Sequence, residues 1–139
     1  MIDDIRAAFA RLIESIDAID RTIHANVDPK KVNKDYNFAE IDVSQDDVEY
    51  YAGSRRISYA VSLSIFTGKS DRDREQLSKD AEAYYDSFET QLNNNRSLGL
   101  RNSWVVINSA DFDIQTVNEV NVQMIQIECT VFNNRIRGE

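Results

Sequence analysis

At 139 residues, with 42% hydrophobic and 29% charged side chains, the chain has the composition of a globular protein rather than a disordered tail, and its length suits a single domain spanning residues 1–139 with a core that needs no covalent staples. A formal net charge of −8 argues against general attraction to nucleic acid, because such binding rests on Lys and Arg displacing counterions from phosphates. The lone cysteine, Cys129, excludes an internal disulfide, and with no secretory leader or membrane-length apolar run in the sequence, a soluble protein in a reducing compartment, not a membrane protein, is expected.

From Ile2 to about Ile23, the residues Ile2, Ile5, Phe9, Leu12, Ile13, Ile16, Ile19 and Ile23 recur at threes and fours, with Asp4, Arg11, Glu14 and Asp17 on the remaining arc. This spacing predicts an amphipathic helix, with Asp3 and Asp4 at the positive end of its dipole. The following stretch from His24 to Asn37, HANVDPKKVNKDYN, holds the only proline and three lysines, Lys30, Lys31 and Lys34. Pro29 biases Asp28 away from helix, so a polar, basic loop is expected there.

Phe38 to Val43 reads as a short strand, and Ser44 to Ser54, SQDDVEYYAGS, as a turn-rich connection. Arg55 to Thr67 carries the clearest period-two signal. Ile57, Tyr59, Val61, Leu63 and Ile65 fall on one side, with Ser58, Ala60, Ser62 and Ser64 on the other, as strand side chains must. The small-residue face either packs closely against something or meets water.

Ser70 followed by Asp73 has the spacing of a capping box, and Leu77, Ala81, Tyr84, Tyr85, Phe88 and Leu92 form the apolar stripe of a second helix, stopped by Asn93, Asn94 and Asn95. Trp104 to Ile107 reads as a short strand and Asp111 to Val117 as another. Asn121 to Phe132 is a long one, hairpin-paired to its predecessor through Val117 to Val120. The order of elements predicts an α+β domain whose mostly antiparallel sheet carries two helices packed on one face.

No reactive constellation stands out. His24 is the only histidine, no GxSxG elbow accompanies it, and one His with one distant Cys is a poor zinc set. The acidic pairs Asp46 and Asp47, Asp71 and Asp73, and Asp111 and Asp113 lack calcium-loop spacing, and the four scattered glycines cannot cradle a phosphate. Neither a catalytic residue, a cofactor nor a metal is assigned. Arg55 and Arg56 are the most pointed basic pair, although as strand neighbours they face opposite sides.

An N-terminal amphipathic helix, a strand pair joined through YYAGSRR, a capped second helix with spaced aromatics and a long closing hairpin ending in IQIECTVFNNR together resemble the tail terminator, or tail-completion, proteins of long-tailed bacteriophages. The resemblance spans most of the chain in layout. It implies a non-enzymatic virion subunit, made in the host cytoplasm, that forms a homo-oligomeric ring, typically of about six. Such a ring caps the tail tube, ends its polymerisation and meets the head-tail connector, with DNA passing through the lumen without specific binding. Interface residues are then expected at Lys30, Lys31 and Lys34, at Tyr50, Tyr51, Arg55 and Arg56, and in the terminal segment at Arg135 and Arg137. Two further classes fit the same pattern: a neck, connector or other protein-binding adaptor of α+β form, and a small enzyme using carboxylates in an apolar cleft.

Overall fold

The alternation that begins at Arg55 becomes an inner strand of a five-stranded sheet. A computed structural model of the chain describes residues 1–19, 22–25, 37–68, 73–117 and 120–136. Its elements are α1 (Ile2–Ser15), β1 (His24–Ala25), β2 (Phe38–Tyr51), β3 (Ser54–Gly68), α2 (Arg74–Asn94), β4 (Ser103–Val117) and β5 (Val120–Ile136). The strand order is β1-β2-β3-β5-β4, and every neighbouring pair is antiparallel except β1 with β2. The fold is α+β with a mostly antiparallel sheet.

Register decides what is buried. Val61, Leu63 and Ile65 of β3 lie opposite Cys129, Ile127 and Ile125 of β5, and cross-strand partners share a face. These six side chains are at most 2% exposed, and the same cluster takes in Ile5, Phe9 and Ile13 of α1 and Ala81, Tyr84 and Phe88 of α2. The alternate face, with Ala60, Ser62, Ser64 and Phe66 of β3 and Gln126, Glu128, Thr130 and Phe132 of β5, is half-buried or exposed. The two helices meet directly. Tyr84 in α2 donates its hydroxyl proton to the Ile13 carbonyl at 2.8 Å, which satisfies one of the carbonyls that the last turn of α1 leaves without a helical partner.

Several predicted boundaries move. The helix expected to reach about Ile23 ends at Ser15, because Ile16 takes an extended backbone (φ −79°, ψ 124°). Ile16 and Ile23 are nevertheless buried, so the apolar spacing persisted for reasons of burial while the backbone changed. His24, expected just past the first helix where the polar loop begins, lies instead in the two-residue strand β1, parallel to Phe38 and Ala39. The Glu14 carboxylate secures this segment by accepting the Ala25 N–H at 3.0 Å.

The connection expected over Ser44 to Ser54 is mostly strand. β2 continues to Tyr51, and only Ala52 and Gly53 form the turn. Gly53 has φ +83°, a left-handed conformation that a side chain would strain. Likewise the two short strands expected between Trp104 and Val117 are one 15-residue strand, β4. Both errors share a cause. The register shifts between Gln45 and Asp47 in β2 and between Ile107 and Ser109 in β4, and each such bulge inserts one residue and reverses the odd-even phase that follows. Ile41 and Val43 thus share a face with Val48, and Val105 and Ile107 with Ala110.

The second helix is capped one turn later than expected. It begins at Arg74, and Asp73 is its N-cap, the carboxylate accepting the Gln76 N–H at 2.8 Å; the predicted partner Ser70 lies outside the described residues. The anticipated stripe is in place, with Leu77, Ala81, Tyr84, Phe88 and Leu92 buried. Tyr85 is half-buried, edge-on to Phe112 with ring centres 5.7 Å apart.

The Tyr84 hydroxyl predicts a clear loss. Tyr84→Phe keeps the ring but strands the buried Ile13 carbonyl, and is expected to lower stability by about 1–3 kcal/mol. In urea unfolding the midpoint should fall with an unchanged slope; an unaltered midpoint would refute the role given to this bond.

Candidate functional site

Five of the nine residues expected at an interface come together at one end of the sheet. Tyr50 and Tyr51 end β2, Arg55 and Arg56 open β3, and Arg135 closes β5, so the β2–β3 turn and the last residues of β5 form a single surface. Lys30, Lys31, Lys34 and Arg137 lie outside the described residues. Tyr50 is 77% exposed, Tyr51 53% and Ile136 61%. Exposed aromatics beside arginines are the side chains most enriched where proteins bind one another.

Strand alternation divides this surface in two. On the face bearing the serines, Glu49, Arg56 and Asn134 form a cross-strand row. Nη2 of Arg56 donates to both carboxylate oxygens of Glu49, at 3.1 and 3.0 Å, and the Tyr51 hydroxyl donates to the same carboxylate. The Arg56 guanidinium also lies 5.2 Å from the centre of the Phe132 ring, which stacks on Trp104. Its Nε–H is buried without an acceptor. The hydrogen bond from Tyr51, and then that from Arg56, holds the Glu49 carboxyl below the ordinary glutamate value, and the same bonds raise Tyr51 and Arg56. An open concavity of about 940 Å³ borders the group, lined by Tyr51, Arg56, Trp104, Asn134 and Ile136 among others.

On the opposite face the row is Tyr50, Arg55 and Arg135. Asn133, 3% exposed, donates its amide to the Arg101 carbonyl at 3.0 Å and the Ser103 hydroxyl at 2.8 Å, while its oxygen accepts Nε–H of Arg135 at 3.1 Å. A buried amide therefore aims this arginine. Among the described residues no carboxylate pairs with either Arg55 or Arg135. Both line a concavity of about 440 Å³ with Tyr50, Tyr59 and Asp3.

Glu49, Asn133, Trp104 and Phe132 are the members that sequence reasoning missed. Glu49 stood in a segment read as turn, whereas an alternating reading through YY would have put Glu49 and Tyr51 on one face. Only the strand pairing brings the others near.

Elsewhere the groups with chemical potential are placed for packing. Cys129 is buried among the core isoleucines, and burial, with a smaller contribution from the Glu128 charge, pushes its thiol up to about 12. Burial, followed by the charge of Glu14, also raises Tyr84 well above an ordinary tyrosine. Among the described residues no cluster of three His, Cys, Asp or Glu side chains has the arrangement to hold a metal ion, and no helix is long and apolar enough to cross a membrane. Compared with known proteins, the chain matches no family model and no curated sequence.

Two measurements follow. Because the folded-state value of Glu49 is depressed, its contribution to stability is complete above the unfolded value of about 4.3 and is lost as pH falls through the lower folded value. The stability difference between wild type and Glu49→Gln should accordingly be constant from about pH 5 to about pH 9, below the range where tyrosine titrates, and shrink on further acidification; a pH-independent difference would contradict the assigned coupling. Cys129 should react with a thiol reagent no faster than the chain unfolds, since the buried, protonated thiol is a poor nucleophile. Labelling at the rate of an exposed thiol would disprove it.

Proposed function

We propose that this chain is a non-enzymatic structural subunit of a bacteriophage tail that assembles with copies of itself into a ring, of about six as the resemblance implies. In this reading the ring caps the tail tube, ends its polymerisation, presents a surface to the head-tail connector and lets DNA pass without specific binding. The observation that carries it is the clustering of Tyr50, Tyr51, Arg55, Arg56 and Arg135 at one end of the sheet, because a ring subunit needs exposed, chemically distinct surfaces that meet non-identical surfaces on its neighbours.

Three further features support it. The helices α1 and α2 share the core with Val61, Leu63 and Ile65, and we take both to cover that face alone, which leaves the serine-bearing face for neighbours. The sheet has two hairpin ends pointing in opposite directions: the β2–β3 end carries the arginines, and the half of β4 that leads to the β4–β5 end carries exposed Asp111, Phe112 and Asp113. A subunit with unlike ends suits head-to-tail closure. An acidic chain also suits a channel through which DNA must slide, since adhesion to DNA needs cationic side chains.

A protein-binding adaptor, including a neck or connector protein, is the second reading. It is favoured by β4, which ends the sheet with no further strand beyond it among the described residues; an edge of this kind can accept an added strand from a partner. Size-exclusion chromatography with light scattering separates the two, because the ring reading expects a mass of roughly six chains, in solution or on addition of tail tubes, with stain images showing rings at tube ends. A monomer that leaves tubes uncapped would overturn it.

A further inference from the structure

We infer that Arg55 and Arg135 form a carboxylate receptor that Glu40 and Asp42 of a second copy of this chain fill, so that a charge-paired, head-to-tail contact joins neighbouring subunits. This deepens the ring reading and rests on it.

Arg55 and Arg135 are direct cross-strand partners, and like charges placed opposite one another on a sheet destabilise it. The structure neutralises the adjacent Arg56 with Glu49 but supplies no carboxylate to Arg55 or Arg135 among the described residues. Asp3, on the rim of the same concavity, is turned to Arg6 at 3.5 Å. Asn133 engages only Nε–H of Arg135, which leaves the paired terminal N–H groups that grip a carboxylate side by side. Two cations that line one recess, whose one lining carboxylate among the described residues is turned to Arg6, are a receptor in waiting.

The complementary acids stand on the other face and further along the sheet. Glu40 and Asp42 are exposed on β2, beyond the two residues that β1 covers, and opposite Ser64 and Ser62 of β3. No cation pairs with them among the described residues. As residues two apart on one strand they are spaced by about 6.6 Å, close to the roughly 5.5 Å between cross-strand partners such as Arg55 and Arg135. They cannot serve their own chain: Ser62, opposite Asp42, is seven positions along β3 from Arg55, roughly 23 Å at about 3.3 Å per residue, and on the reverse face. Among the described residues no carboxylate of the same chain pairs with these arginines, and a second copy carries Glu40 and Asp42 at matching spacing.

The test is the assembled mass of the protein, followed by light scattering from about 0.05 to 0.5 M salt, a range over which exposed charge pairs become screened. Wild type should dissociate as salt rises. Arg55→Glu with Arg135→Glu should need at least about tenfold more protein to assemble at low salt, as should Glu40→Lys with Asp42→Lys, and mixing the two variants should restore assembly. The milder pair Arg55→Gln with Arg135→Gln should assemble weakly and lose most of its salt dependence, which guards against misfolding of the reversed variant. Wild-type assembly by the Gln pair at all salts would overturn this contact while leaving the ring reading standing. Failure of mixing to restore assembly, with both reversed variants folded, would assign the arginines to some other acid. A wild type that never associates, even on tail tubes, would remove the ring reading and this contact together.

Discussion

β3 and β5 pair antiparallel from Ser54 with Ile136 to Gly68 with Val122, without a shift in register. Because side chains alternate, that one alignment puts Val61, Leu63, Ile65, Ile125, Ile127 and Val131, all fully buried, on a common face, in one core cluster with residues of both helices. A slip of one residue would turn either set outward, exchanging a continuous apolar surface for serines, Gln126 and Glu128. The same alignment brings Arg55 against Arg135 and Arg56 against Asn134. Core and candidate site are therefore consequences of a single register.

The flanking strands adapt to this pair. β2 and β4 each carry one bulge, near Asp46 and Asn108, where an added residue increases the local twist of the strand. Past each bulge the apolar side chains return to the core-facing side in opposite phase, as Val48 and Ala110 do. Asn108 is not idle, since its amide donates to the Thr130 hydroxyl at 2.7 Å on the serine-bearing face. That face is held by a polar network: Ser62 donates to Glu128 at 3.0 Å, Ser64 to Gln126 at 2.7 Å, and Gln126 to both Ser62 and Glu128. Small hydroxylic residues there serve cross-strand hydrogen bonds.

Charge is distributed unevenly over this frame. Arginines collect where the β2–β3 turn meets the end of β5, and acids line β2 and β4 towards the other end. Within one chain Glu49 reaches Arg56, whereas Glu40 and Asp42 lie far along the sheet from Arg55 and Arg135 and on its reverse face. A protein of net charge −8 repels its copies at long range, and salt of physiological strength confines that repulsion to about 8 Å.

By itself the sequence determined the local patterns: the alternation of β3 and β5, the stripe from Leu77 to Leu92 and the apolar arc of α1, because side-chain period reports directly which face of an element is buried. It left α1 too long, since Ile16 and Ile23 keep helical spacing while lying on non-helical backbone. It also divided β2 and β4 at their bulges, since one inserted residue erases a period of two. Tyr50, Tyr51, Arg55, Arg56 and Arg135 were legible as exposed aromatic and basic residues, but not as one surface. Arg55 meets Arg135, and Glu49 meets Arg56, only through pairing between strands, and that pairing is chosen by the burial of the whole sheet rather than by any residue's immediate neighbours.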